Sequence, residues 1–229
     1  LSLACVIFCF QSCVVYLVDI LFIFLFFFLI FFLMIRRPPR STLDRSSAAS
    51  DVYKRQGVTY TPDLYSAAIS IVGPSSLLTL LASIPPYWEA GRKIFHLRMG
   101  DPTTPEGEAQ LRRQSPLFHV DQIKTPLMIV QGANDPRVKK AESDQIVYAM
   151  NQSKLDVEYI CAPDEGHGFA RPINNMAFLA AAEKFFADHL GGRYQESMSP
   201  EISKRLKEIT VNQESVTLPK KCILKKTNH

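Results

Sequence analysis

The sequence predicts an α/β fold, a parallel sheet with helices packed on its faces. Three features predict it. Leu127-Met128-Ile129-Val130 is a short apolar run bounded by Pro126 and Gly132, the pattern of a strand buried on both faces of a parallel sheet. Val157-Glu158-Tyr159-Ile160-Cys161 repeats the plan further on. Between and after these runs, Lys140 to Gln152 and Asn174 to Leu190 carry apolar residues at helical spacing. Each strand leads into a loop with a chemically useful side chain: Asp135 after the first and His167, between Gly166 and Gly168, after the second. Ligands and reactive groups of open α/β sheets gather at the carboxyl ends of the strands. Neighbouring parallel strands would therefore let Asp135 orient His167 and stabilise its charge.

The apolar content, 47% of 229 residues, supports a core of ordinary size but is unevenly spread. Leu1 to Met34 is almost wholly apolar and rich in Phe, long enough to cross a bilayer, and Arg36, Arg37 and Arg40 follow it like a stop-transfer cluster. A membrane is a partner only if that segment is genuine, and the next residues argue that it is not. Met34 to Thr42 can be encoded by a common short-read sequencing adapter, and Ser46 to Gln56 by the transposase-end part of the same adapter. Leu43-Asp44-Arg45 fills the place of its variable index. Residues 34–56 are expected to be translated adapter and residues 1–33 an artefact beside it, so that the natural protein begins at Gly57. The net charge of +4, with no basic run interleaved with aromatics, gives no reason to expect a nucleic-acid partner. Cys5, Cys9 and Cys13 recur at one-turn spacing but have no His or carboxylate with them, so no metal is expected there; Cys161 and Cys222 make no disulfide framework.

From Gly57 the elements follow in order. Val58 to Thr61 reads as a helix end stopped by Pro62-Asp63, and Ala67 to Gly73 as a buried strand closed by Gly73-Pro74. Ser75 and Ser76 are placed to cap a short helix over Leu77 to Leu81. Pro86 to Met99 reads as another, with Trp88, Ile94, Phe95 and Leu97 as its apolar residues, and a third begins near Thr104 and runs through Leu111. The Lys140 helix should turn Ile146, Val147 and Met150 inward. The Asn174 helix should bury a stripe from Phe178 through Phe185 to Leu190 and stop at Gly191-Gly192. Pro200 to Ile209 forms a short charged helix, and the basic Lys220 to Lys226 stretch belongs to a frayed tail.

From Gly57 to about Gln195 the residues TPDLY (Thr61 to Tyr65), SIPPYW, RMGDPTTPEG, SPL, KTPLMIVQGANDPRV and DEGHGFARP closely resemble the prolyl oligopeptidase family of serine peptidases, especially its acylaminoacyl-peptidase-like members. The resemblance implies the C-terminal part of an α/β-hydrolase fold, truncated, whose triad runs Ser, Asp, His along the chain. On these motifs Asp135 would be the triad acid and His167 its base. Arg137 would bind a substrate backbone carbonyl, a task its donor fork suits as well as it suits a salt bridge. The substrate would be a peptide, and no cofactor is called for. The helices after Pro86 would lie near the substrate cleft, where Tyr87 and Trp88 either line a pocket or pack in the core. Asp164 and Glu165 are expected in solvent without an assigned role. His96, His119, His189 and His229 are expected as surface or packing residues.

The departure from the family's pattern is the nucleophile. No Gly-x-Ser-x-Gly elbow occurs in the sequence, and Ser46, Ser47 and Ser50 lack the glycines that its strained turn requires. The expectation is a serine-peptidase fragment, residues 57–195, that keeps the acid and base but is itself inactive, followed by a helix and tail over residues 196–229. Two alternatives stand beside it. One is a fragment of an α/β-hydrolase esterase. The other is a membrane-anchored, non-catalytic interaction domain.

Overall fold

The computed structural model describes residues 31–35 and 57–218. The Lys220 tail and most of the apolar leader lie outside these residues. Among the described residues, no helix is long and apolar enough to cross a membrane. Among the described residues, five strands make one sheet in sequence order: β1 (Phe31–Ile35), β2 (Tyr65–Ile71), β3 (Leu127–Gly132), β4 (Val157–Ala162) and β5 (Thr210–Val211). β2, β3 and β4 are parallel, and β1 and β5 pair antiparallel at the two edges. The parallel centre is what the apolar runs predicted. Every residue of β3 is buried, because helices cover both sides of it.

Alternation along each strand sends side chains to two cores. On one face Leu127, Ile129, Val157 and Tyr159 pack with Ile146, Val147 and Met150 of α4 (Lys140–Gln152). On the other, Met128, Val130, Ile160 and Ala162 pack with Ala177, Phe178, Ala182 and Phe185 of α5 (Pro172–Leu190) and with Ile209 at the end of α6 (Pro200–Ile209). Full burial of one such large aliphatic or aromatic side chain is worth about 1.5–3 kcal/mol, so this alternation fixes the register of all three central strands.

Between β2 and β3 the chain makes a helical excursion through α1 (Leu77–Ala82), α2 (Arg92–Met99) and α3 (Pro105–Gln114). Ser76 caps α1, its hydroxyl accepting from the Thr79 N–H. The single helix expected over Pro86 to Met99 is instead a 3-10 segment, Pro86–Gly91, followed by α2. Gly91 sits where the two meet and weakens helix propagation there. α2 buries Phe95 and Met99, one turn apart, whereas Leu97 points away and is 86% exposed. The helical period turns Phe95 and Met99, but not Leu97, toward the core. Leu77, Leu81, Phe95 and Leu111 form a third core cluster that also takes in Val138, just beyond Asp135.

The excursion leaves the sheet through a strained turn. Val72 follows β2 with φ of 50°, a left-handed conformation that costs a β-branched residue of order 1–3 kcal/mol. It is held there: the Val72 N–H donates to the Val130 carbonyl at 2.8 Å. Next to it Ser75 and Ser76 both donate backbone N–H groups to Oε2 of Glu142, each at 3.0 Å, and the Ser75 hydroxyl donates to the Glu142 carbonyl at 2.6 Å. Glu142 is 2% exposed. Burial pushes its carboxyl above the ordinary glutamate range, against the pull of the hydrogen bonds from Thr79, Ser76 and Ser75.

Candidate active site

Asp135 and His167 meet where β3 and β4 end, and the two loops that carry them are packed backbone against backbone. Gly132 closes β3. A Cβ placed on it would lie 2.0 Å from the Gly166 carbonyl oxygen and 2.7 Å from that of Glu165. Only glycine admits so close an approach. The loops are also stitched together: Ala133 N–H donates to Ala162 O at 2.9 Å, Asn134 N–H to Glu165 O at 2.9 Å, and the Asn134 amide to Pro163 O at 2.6 Å.

The Asp135 side chain is completely enclosed. One carboxylate oxygen accepts the backbone N–H groups of Arg137 at 2.8 Å and Val138 at 3.0 Å, and the other lies 2.7 Å from Nδ1 of His167. A carboxylate facing Nδ1 makes that nitrogen the donor. In a neutral imidazole, Nε2 is then the acceptor. Nε2 is buried and has no hydrogen-bond partner among the described residues. The His167 ring itself is 12% exposed, so it sits at the surface edge of the pair. Gly168, with φ of 95°, turns the chain away directly after it.

Of the side chains singled out in the sequence, Asp135 and His167 are thus brought together. Arg137 lies half-buried on the same loop, its N–H on Asp135. Trp88 packs on Phe95, ring centroids 6.1 Å apart, and Tyr87 meets its edge while remaining 62% exposed. The other histidines pack or pair elsewhere: His96 beside Asp101 at 3.4 Å, His119 against Tyr60, and His189 against Phe185; His229 lies outside the described residues. Among the described residues, no three His, Cys, Asp or Glu side chains converge as metal ligands.

One important residue was misread. Glu165, expected in solvent, is 4% exposed. Its carboxylate accepts from the N–H groups of Ala170 at 3.1 Å and Arg171 at 2.8 Å and from the Asn174 amide at 2.8 Å. It ties the His167 loop to the start of α5. The signal was present only as Asn174 in the first turn of the following helix, a polar residue on an otherwise apolar stripe.

A sheet with a parallel centre, helices on both faces and an Asp–His pair at its carboxyl edge has the architecture of the α/β-hydrolases. The sequence model of the prolyl oligopeptidase family matches residues 56–193, more than half of the chain. The chain belongs to that family of serine peptidases. It is 57% identical over 137 residues to dipeptidyl aminopeptidase BIII of Pseudoxanthomonas mexicana, a match covering 60% of this chain and 20% of that protein. It is 45% identical over 139 residues to dipeptidyl peptidase family member 6 of Caenorhabditis elegans, covering 60% and 19% respectively. The chain thus spans about a fifth of the length of these curated relatives. A solved puromycin-hydrolyzing peptidase of Mycobacterium tuberculosis superposes with a TM-score of 0.55 at 26% identity over 61% of this chain and 20% of that one. Pyrococcus horikoshii acylaminoacyl peptidase shares the fold at a TM-score of 0.54 and 24% identity, over 67% and 24% of the two chains.

Proposed function

We propose that this chain is the C-terminal part of the catalytic domain of a serine peptidase, with Asp135 as acid and His167 as base of a Ser-His-Asp triad. The observation that carries this is the division of labour at one imidazole. Nδ1 is bound to a fully enclosed carboxylate, while the buried Nε2 has no partner among the described residues. In such a triad Nε2 takes the proton of the serine hydroxyl as it attacks the scissile carbonyl and returns it to the leaving amine. The carboxylate holds the tautomer and stabilises the imidazolium. Arg137, beside Asp135, would hold a substrate backbone carbonyl through its planar fork. The serine would come from an elbow N-terminal to Gly57, so the domain would begin before this residue and residues 34–56 would be foreign to it. Without a nucleophile the present chain is inactive.

The identity to a dipeptidyl aminopeptidase favours one substrate class over others. The intact enzyme would release dipeptides from peptides with a free amino terminus, in preference to simple esters. The test is direct. A fluorophosphonate probe should leave the 229-residue chain unlabelled, and the native reading frame upstream of Gly57 should encode a Gly-x-Ser-x-Gly elbow. The protein extended by that frame should label and cleave peptides, and His167→Ala should abolish both. An upstream frame without such a serine, or a His167→Ala enzyme turning over at the parent rate, would overturn the assignment.

A further inference from the structure

α6 lies outside residues 56–193, the part of the chain that the family model matches. Yet one of its side chains reaches the His167 loop at Asp164. Arg205, with 18% of its side chain exposed, donates from Nε to Oδ1 of Asn174 at 2.6 Å and from its terminal nitrogen to Asp164. Asn174 is fully buried. Its Nδ2 in turn donates to Oε1 of Glu165 at 2.8 Å and to Asp164 at 3.2 Å. An amide has one accepting and one donating end, while a guanidinium only donates and a carboxylate only accepts. Arg205 on one side and Glu165 on the other therefore select a single orientation of Asn174. Glu165 then fixes both loops at once, gathering the Ala170 and Arg171 N–H groups with its carboxylate and the Asn134 N–H with its carbonyl.

We propose that Arg205 is a positioning residue for the His167–Asp135 pair, acting through Asn174 and Glu165, so that the C-terminal helix sets the geometry of the catalytic loops. This rests on reading that pair as the triad's acid and base. A chain of buried, mutually oriented hydrogen bonds has few alternative arrangements. Its far end is the loop that must hold the imidazole within a fraction of an ångström of its working position, and a misplacement of about 1 Å can cost about a hundredfold in rate.

The test uses the full-length enzyme carrying its nucleophile and compares Arg205→Met, Arg205→Lys, Asn174→Asp and Glu208→Gln. Arg205→Met keeps most of the apolar stem and removes the fork. It is expected to lower kcat about tenfold or more with KM within about twofold, and to shift or broaden the far-downfield proton resonance of His167 Nδ1. Asn174→Asp sets a second carboxylate against Glu165 and should disturb the same resonance. Arg205→Lys, a single-point donor, should fall between Arg205→Met and the parent. Glu208→Gln removes only the 3.1 Å surface pair with Arg205 and should change neither readout. An unchanged kcat in Arg205→Met would overturn the proposal. So would a loss explained by a lower thermal midpoint while the resonance stays in place. If the parent enzyme shows no turnover at all, the triad assignment has failed instead, and the resonance alone still decides whether Arg205 positions the pair.

Discussion

Asp135 shows how much one carboxylate can determine. Two backbone N–H groups occupy one oxygen, which leaves the other aimed at Nδ1 with no freedom to turn. Asp135→Asn would preserve the shape but can present an amide N–H to Nδ1, placing the imidazole proton on Nε2, where the proposed base needs a lone pair. In the full-length enzyme kcat is expected to fall by about four orders of magnitude, with the tautomer change visible in the nitrogen resonances of His167. Gly132→Ala tests the backbone beneath the pair. Its Cβ would meet the Gly166 carbonyl at 2.0 Å, and overpacking against backbone costs about 1–3 kcal/mol or more; denaturant unfolding should show a lower midpoint. Asp135 and His167 were legible because each follows a strand-like run within a recognisable motif. Gly132 and Glu165 were not, since what constrains them is the other loop, which is distant in sequence.

At the scale of elements, α4 does more than cover the sheet. Through Glu142 it holds Ser75 and Ser76, which follow the strained Val72 turn and lead into α1. Glu142→Ala would leave the Ser75 and Ser76 N–H groups without their acceptor in a buried site, a loss of about 1–3 kcal/mol. Glu142→Gln separates charge from hydrogen bonding. Because burial raises the Glu142 carboxyl above its ordinary value in the fold, this group's contribution is full below the unfolded value and is lost as pH rises through the folded one. Glu142→Gln should therefore gain thermal stability relative to the parent as pH increases, and paired melting curves at acidic and mildly alkaline pH would show it. The three parallel strands were readable as apolar runs and the Lys140 to Gln152 helix from its apolar period, while Pro200 to Ile209 was read as a short charged helix; both helices match to the residue. The break at Gly91 and the outward Leu97 were not, because tertiary packing of Phe95 and Met99 chose the face.

For the whole molecule, the element beyond the family's matched span belongs to the core: Ile209 is fully buried among residues of β2 and α5. A fragment of residues 57–195 would lose that side chain along with Arg205, and would expose the edges of β2 and β4. It is expected to unfold without a cooperative transition and to lack native-like near-ultraviolet circular dichroism. A sharp calorimetric transition would contradict this. The fold's centre was written in local sequence, but its closure by α6 and β5 depends on contacts that no short window reveals. The glycine contact between the Asp135 and His167 loops also bears on protein engineering. Neither loop can be exchanged alone for a homologous or designed segment, because each is the mould for the other's backbone. A transplant to a new sheet would have to carry both as one cassette, together with the start of the helix that follows His167.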